Sequence, residues 1–233
     1  NYGGNTLDTI HIRWLVNGVE QPSLYWSGEL MSGNCDSVVL GNYSFLPYKS
    51  HQIIAWTEQP NGVLDSFNYN DTLRIQNIYP ALNGYYTVGG LLPDFNTFGQ
   101  IQEPLKYGGI AGNVVFNIRD GIYPVNFNLD PFPKNNIHHS VTFKSEDNNS
   151  NGVILNNTNS VIFNLTNVHN IHVNNIEFNH TGGNGIRLSG GTSNISIDSC
   201  KFRGFVYTGA TSDNNPNFAS IYSLGTREDS ILI

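Results

Sequence analysis

The chain has 233 residues, a formal net charge of −7 and only 12% charged residues. Eleven Lys and Arg against 18 Asp and Glu disfavour nucleic acid and anionic membrane surfaces as partners, because both require a basic face. No apolar run approaches the roughly 18 residues of a membrane-spanning helix, so membrane insertion is not expected. The 34 Asn and 24 Gly favour turns, while Tyr, Val and Ile favour strands, so the composition predicts an all-β chain.

The first third of the chain alternates apolar and polar residues in the manner of short strands. LDTIHIRWLVNG places Ile10, Ile12 and Trp14 on alternate positions and ends in an Asn-Gly turn. The segments SLYWSGEL, DSVVLGNYSF, HQIIAWTEQPNG and DTLRIQNI follow with turn residues between them. About five strands and a buried tryptophan, Trp14 or Trp56, predict an immunoglobulin-like β-sandwich over residues 1–80.

Three motifs make this prediction more specific. Trp14–Gly18 reads W-x-V-N-G, Trp26–Leu30 reads W-x-G-x-L, and Asp65 precedes an N-D-T segment at Asn70–Thr72. Together they resemble the adhesion-related, CARDB-like Ig domains of secreted Bacteroidetes proteins. The resemblance implies a surface or adhesion role. Because a further strand normally precedes the N-Y-G element in such domains, we expect the chain to begin inside its first domain.

A Pro/Gly/Asn cluster at residues 79–84 predicts a short linker before a second domain at residues 85–233. One short helix is expected at residues 96–106, with Asn96 or Thr97 as its N-cap. Its apolar residues at helical spacing are Phe98, Ile101 and Leu105. Such a helix would cover an open first coil, whose unpaired backbone groups otherwise invite aggregation.

One eight-residue phrase occurs twice in the second domain, 24 positions apart. Residues 171–178 read IHVNNIEF and residues 195–202 read ISIDSCKF, with apolar residues at equivalent positions. A return of this length, built from short strands and Asn/Gly turns, is typical of a parallel β-helix. We therefore expect the two segments to pair in parallel register, about 4.8 Å apart. Cys200 then reads as a small buried hydrophobe, and a disulfide with Cys35 is not expected.

The opening of this domain carries a second resemblance. Tyr86–Gly90 reads Y-T-V-G-G and Val114–Tyr123 reads V-V-F-N-I-R-D-G-x-Y, which is similar to the start of right-handed β-helix domains of the pectate-lyase-like superfamily. Further strands are expected at SVTFKS, GVIL, VIFNLTN, GIRL and IYS, with an excursion at residues 205–220. Ile231–Ile233 would start another coil, so we expect the chain to end in mid-coil. The predicted fold is all-β: an Ig-like sandwich, then the N-terminal coils of a right-handed parallel β-helix with a short capping helix.

The polar positions of the repeated phrase form the candidate binding face. They are His172, Asn174, Glu177, Asp198 and Lys201. The 24-residue offset aligns Glu177 with Lys201, which predicts an ion pair between coils on a solvated face. Glu177 and Asp198 are the only acidic residues there, so we assign no catalytic residue.

Metal ligands are sparse in the sequence. Asp65 and Asp71, with Asn70, are candidates for Ca²⁺, although turn-forming side chains explain their spacing better. The histidine pairs at 138–139 and 169/172 have no third ligand at a telling spacing. We therefore expect no cofactor, with Ca²⁺ at Asp65 and Asp71 as the alternative.

Three functions remain open from the sequence. The first is a non-catalytic adhesion or polysaccharide-binding module of a secreted or cell-surface bacterial protein. The second is part of a carbohydrate-active lyase or glycoside hydrolase whose active site lies on coils outside this sequence. The third is a structural spacer. The many Tyr and Asn residues suit sugar stacking and hydrogen bonding, so the first is favoured.

Overall fold

Contacts along the chain divide the computed structural model into two units, Asn1–Ile78 and Tyr79–Ile233. The structure describes all residues except 47, 66, 137, 159–160, 181–182, 204–219, 225–230 and 233. For residues 68, 231 and 232 it describes the backbone but not the side chain. Among the described residues, no helix is long and apolar enough to cross a membrane.

The first unit is an antiparallel sheet with the strands β1 (Leu7–Val16), β2 (Val19–Glu20), β3 (Leu24–Leu30), β4 (His51–Glu58) and β5 (Thr72–Ile78). Their order in the sheet is β2-β1-β4-β5, with β3 also paired to β1. The described residues of this unit form one sheet, whereas a sandwich requires two. The sandwich is therefore not confirmed.

The segment DSVVLGNYSF, which the alternation predicts as a strand, has no strand hydrogen bonding. It instead covers Trp14, whose side chain is buried. A Cβ added at Gly41 would lie 2.9 Å from the Trp14 ring, so only a glycine permits this close approach. The Trp14 indole N–H donates to the carbonyl of Pro22 at 3.0 Å.

The second unit is a β-solenoid of about four coils, in which three parallel sheets run along the stack. The first sheet holds β6 (Leu82–Val88), β7 (Ile110–Ile118), β10 (Val141–Ser145), β13 (His169–Asn174), β16 (Ser193–Asp198) and β19 (Ile231–Leu232). The second sheet holds β8 (Gly121–Pro124), β11 (Val153–Asn157), β14 (Glu177–His180) and β17 (Lys201–Arg203). The third sheet holds β9 (Phe127–Leu129), β12 (Phe163–Thr166), β15 (Ile186–Ser189) and β18 (Ile221–Ser223).

The register predicted from the repeated phrase is confirmed. Ile171 lies opposite Ile195 and Phe178 opposite Phe202, both in parallel pairs. The strands expected at SVTFKS, GVIL, VIFNLTN, GIRL and IYS are also present, as β10, β11, β12, β15 and β18. Ile231 pairs with Ile195 as predicted. Ile233 and nearly all of the excursion at 205–220 lie outside the described residues.

Phenylalanines form the core of the coils. Phe143 is fully buried, stacks on Phe116 at 5.2 Å, and meets Phe127 and Phe163 edge-on at 5.3 Å. These residues recur at inward strand positions because alternate residues of a strand face the same side. Each coil therefore packs its ring against the rings of its neighbours.

The capping helix is shorter than predicted. Helix α1 spans Gly99–Glu103, a π-helical turn spans Pro104–Gly108, and Phe98 rather than Asn96 or Thr97 is the N-cap. The buried face is confirmed: Phe98, Ile101 and Leu105 are all buried, and Phe98 stacks on Phe143 at 6.4 Å. The expected linker overlaps β6, which begins at Leu82 and pairs with β7.

The abundant asparagines stack in the turns between coils. Asn170 and Asn194 both have positive φ, 55° and 53°, a conformation that asparagine tolerates well. The Asn194 side-chain amide donates to the Asn170 side-chain oxygen, and the Asn170 amide donates to the Asn136 carbonyl at 2.9 Å. These side chains bond equivalent turns of successive coils to one another.

Candidate functional site

The candidate face predicted from the sequence is divided between two sheets. His172 and Asn174 lie on β13 and Asp198 on β16, all in the first sheet. Glu177 lies on β14 and Lys201 on β17, in the second sheet. The chain turns the corner between the sheets at residues 175–176, so the five residues do not form one surface.

The predicted ion pair between Glu177 and Lys201 is not the one observed. The two residues are in register, but Glu177 is only 6% exposed and its carboxylate lies 3.2 Å from Arg203 Nε. The Lys201 ammonium donates to the Asn151 side chain. Arg203 lies on the same strand face as Lys201, two residues further on, and its longer planar head reaches back over Glu177.

On the first sheet, outward side chains repeat in rows along the stack. One row holds Lys144, Asn174 and Asp198, which are successive partners in the ladder. The adjacent row includes His172, whose burial lowers the pKa of its imidazole. Both rows present hydrogen-bonding groups on the outer face of the first sheet.

Acid is expected to weaken the solenoid through His172 and His180. Burial lowers the pKa of both imidazoles below the ordinary value of 6.5, so the unfolded chain binds more protons at mildly acidic pH. Stability is therefore lost as pH falls below about 6.5. The urea midpoint should be lower at pH 5.5 than at pH 7.5, and His172→Gln should reduce this difference. His138→Gln, at an exposed position, is the control; an equal reduction there would contradict the prediction.

Cys200 and Cys35 are expected to differ strongly in reactivity. Both thiols are free, but Cys35 is exposed and Cys200 is half-buried beside the core, which falls short of the full burial predicted. Burial raises the pKa of the Cys200 thiol from 9.0 to about 11, which lowers its thiolate fraction about 100-fold. Ellman's reagent at pH 8 should modify Cys35 rapidly and Cys200 only after denaturation. Two equally fast thiols in the folded protein would contradict this.

Asp65, one of the two calcium candidates, makes a local hydrogen bond to the backbone. Asp65 accepts a hydrogen bond from the backbone N–H of Phe67 at 2.7 Å, which is an Asx turn. Burial and then the charge of Asp65 raise the pKa of Asp71. Within the described residues, no group of three or more His, Cys, Asp or Glu side chains could hold a metal ion. Of the histidines considered as metal ligands, His169 instead forms a hydrogen bond, with its Nδ1 2.7 Å from Ser193 Oγ.

A groove of about 250 Å³ lies between the capping helix and the C-terminal end of β9, and the sequence did not predict it. Its lining combines amide, carboxylate, ammonium and aromatic groups: Gln102, Glu103, Lys106, Tyr107, Asn128, Leu129 and Asp130. The helical residues are separated by more than 20 positions from the β9 residues, and no spacing rule brings such segments together. The Gln102 amide donates to the Asn128 carbonyl at 3.0 Å and links the two sides of this α1 groove.

Tyr107 is the aromatic element of the α1 groove. It is 47% exposed, and its ring stacks on Tyr79 at 6.0 Å with an interplanar angle of 12°. The Lys106 ammonium lies 5.2 Å from the centroid of the same ring. The Tyr79 hydroxyl donates to Glu103 at 2.5 Å, so this aromatic pair is oriented by a hydrogen bond.

No protein family, no curated protein and no solved structure matches this chain. The class of protein is accordingly given by the fold, which is a β-solenoid with parallel sheets preceded by an antiparallel sheet.

Proposed function

We propose that this chain is a carbohydrate-binding module of a secreted or cell-surface bacterial protein, built as an Ig-like module followed by a right-handed β-helix. The observation that carries the proposal is the α1 groove, in which the oriented Tyr107 ring adjoins hydrogen-bonding side chains. Sugars are bound by this combination, because aromatic rings pack on their C–H faces and polar groups bond their hydroxyls.

The size of the α1 groove supports a single sugar ring of a longer chain. Its volume of about 250 Å³ is below the roughly 300–1,000 Å³ of pockets for drug-sized ligands. The flanking sugars of a polysaccharide would extend along the outer faces of the coils, which are rich in Asn and Ser. A sugar ring packed on Tyr107 would displace the Lys106 ammonium from that ring. The displaced ammonium is then free to donate a hydrogen bond to a sugar hydroxyl.

The charges of the groove favour a neutral glycan. Glu103 and Asp130 contribute two carboxylates against the one ammonium of Lys106. Carboxylates accept hydrogen bonds from sugar hydroxyls, but they repel the carboxylates of uronic acids. Pectate and alginate are therefore poorer ligands than uncharged polysaccharides, as the net charge of −7 also indicates.

The test is binding of the purified chain to uncharged polysaccharides and to pectate and alginate, by affinity electrophoresis and calorimetry. Tyr107→Ala should weaken binding to the retained neutral glycan about five- to tenfold, because an aromatic contact contributes roughly 1–1.4 kcal/mol. Tyr85→Ala is the matched control, since Tyr85 is 78% exposed and lies outside the groove.

Three outcomes would contradict the proposal. Equal losses in Tyr107→Ala and Tyr85→Ala would remove the groove as the site. If Asn174→Ala abolishes glycan binding and Tyr107→Ala does not, the binding site lies on the outer face of the first sheet. Retention by no glycan would favour a structural spacer.

A further inference from the structure

Three polar side chains of the first unit form a continuous hydrogen-bonded chain. Ser23 Oγ lies 2.9 Å from His11 Nε2, and His11 Nδ1 lies 3.0 Å from Glu58 Oε1. His11 is on β1, which pairs with β3 on one side and β4 on the other. The sheet thus brings together residues that are 12 and 47 positions apart.

The chemistry of the groups sets the direction of both hydrogen bonds. An ionised carboxylate only accepts, so His11 Nδ1 carries the hydrogen that is donated to Glu58. In the neutral ring, Nε2 is then an acceptor, and the Ser23 hydroxyl donates to it. Hydroxyl, imidazole and carboxylate in this order are the arrangement of an activated nucleophile.

The surroundings hold this relay in place and leave its hydroxyl accessible. Arg13 Nη1 lies 3.6 Å from Glu58 Oε2, so the guanidinium and the carboxylate form an ion pair beside His11. Arg13 is itself fixed by Glu20, with Nη2 2.6 Å from Oε1. The His11 and Glu58 side chains are 27% and 33% exposed, while Ser23 is exposed.

We propose that Ser23 is a nucleophile that accepts acyl groups from activated carboxylic esters, with His11 as general base and Glu58 as a positioning residue. The Ser23 oxygen bonds to the ester carbonyl carbon while its proton passes to His11 Nε2. The C–O bond to the alcohol then breaks, and the alkoxide takes that proton. Water next attacks the acyl-serine, gives a proton to His11, and releases the acid as the proton returns to Ser23.

General-base catalysis of this kind typically accelerates a reaction by about 10²–10⁴-fold. Because this acceleration suffices only for an ester that is already reactive, the expected substrates are esters with a good leaving group. The test uses the full chain and p-nitrophenyl acetate at pH 8, and follows both p-nitrophenolate release and the acetylated peptides after acid quench. The peptide containing Ser23 should gain one acetyl group, and a fluorophosphonate probe should label the same residue.

Ser23→Ala should abolish acetylation of that peptide and lower the release rate by about tenfold or more. Ser27→Ala is the matched control, because Ser27 is exposed in β3, the strand that begins directly after Ser23, and lies outside the relay. Glu58→Gln keeps a hydrogen-bond acceptor but removes the charge, so kcat should fall by about tenfold with KM unchanged. Circular dichroism verifies that each variant is folded.

The proposal is overturned if Ser23→Ala hydrolyses the ester at the wild-type rate. It is equally overturned if the acetyl group is found on histidine or lysine instead of Ser23. These outcomes leave the α1 groove untouched, because the relay belongs to the first unit and the groove to the second.

Discussion

Phe143→Ala is expected to destabilise the solenoid by about 3–5 kcal/mol, the range for truncating a buried aromatic residue. Phe143 is fully buried and meets four other phenylalanine rings, including Phe98 of the cap. Removing the phenyl ring would leave a cavity, and the surrounding strands cannot move inward to fill it. Urea unfolding monitored by circular dichroism measures the change.

The control for this variant is Thr142→Ala on the same strand. Thr142 faces outward and is half-buried, so its truncation should cost less than about 1 kcal/mol. Because coils of a solenoid contact only their neighbours, hydrogen exchange in Phe143→Ala should rise most in β7, β10 and the cap. The packed phenylalanine rings would not be the source of stability if hydrogen exchange rose uniformly throughout both units. The same conclusion would follow if Phe143→Ala and Thr142→Ala lowered the free energy of unfolding equally.

Gly109→Ala is expected to cost about 3 kcal/mol or more and to release the cap from the first coil. Gly109 has φ 67° and ψ −150°, a region essentially restricted to glycine, at about 1–3 kcal/mol for other residues. An added Cβ would also lie 2.2 Å from the Pro133 carbonyl oxygen. That oxygen accepts the backbone N–H of Ile110, so the clash also breaks the start of β7.

Gly84→Ala separates the two causes. Gly84 has φ 88°, but an added Cβ there meets nothing within 4 Å. This variant should therefore show only the conformational cost of about 1–2 kcal/mol. Thermal unfolding of both variants gives the comparison. A Gly84→Ala variant as unstable as Gly109→Ala would show that the contact with Pro133 contributes nothing.

The repeated phrase was sufficient to predict the register of the third and fourth coils. Inward and outward positions alternate along a strand, and stacking equivalent residues is what buries Ile171 on Ile195. The same reasoning predicted the buried face of the cap, because helical spacing places Ile101 and Leu105 on one side. Both predictions depend on local periodicity, which a sequence records directly.

The alternation in residues 36–45 predicted a strand that does not form. Alternation indicates which residues face an apolar surface, and this segment does cover Trp14. It does not indicate whether a neighbouring strand is available to pair with the backbone. That availability decides between a sandwich and a single sheet, and it depends on residues distant in the sequence.

The sequence by itself determined the all-β composition, the coil repeat and the inward residues, because these follow from propensity and periodicity. Only the tertiary structure decided which polar side chains meet. Glu177 pairs with Arg203 rather than Lys201, Tyr107 lines one groove together with Asn128 and Asp130, and Ser23 lies within hydrogen-bonding distance of His11. Long polar side chains can reach several neighbours at similar free energy, so their partners are chosen by the packing of segments far apart in the chain.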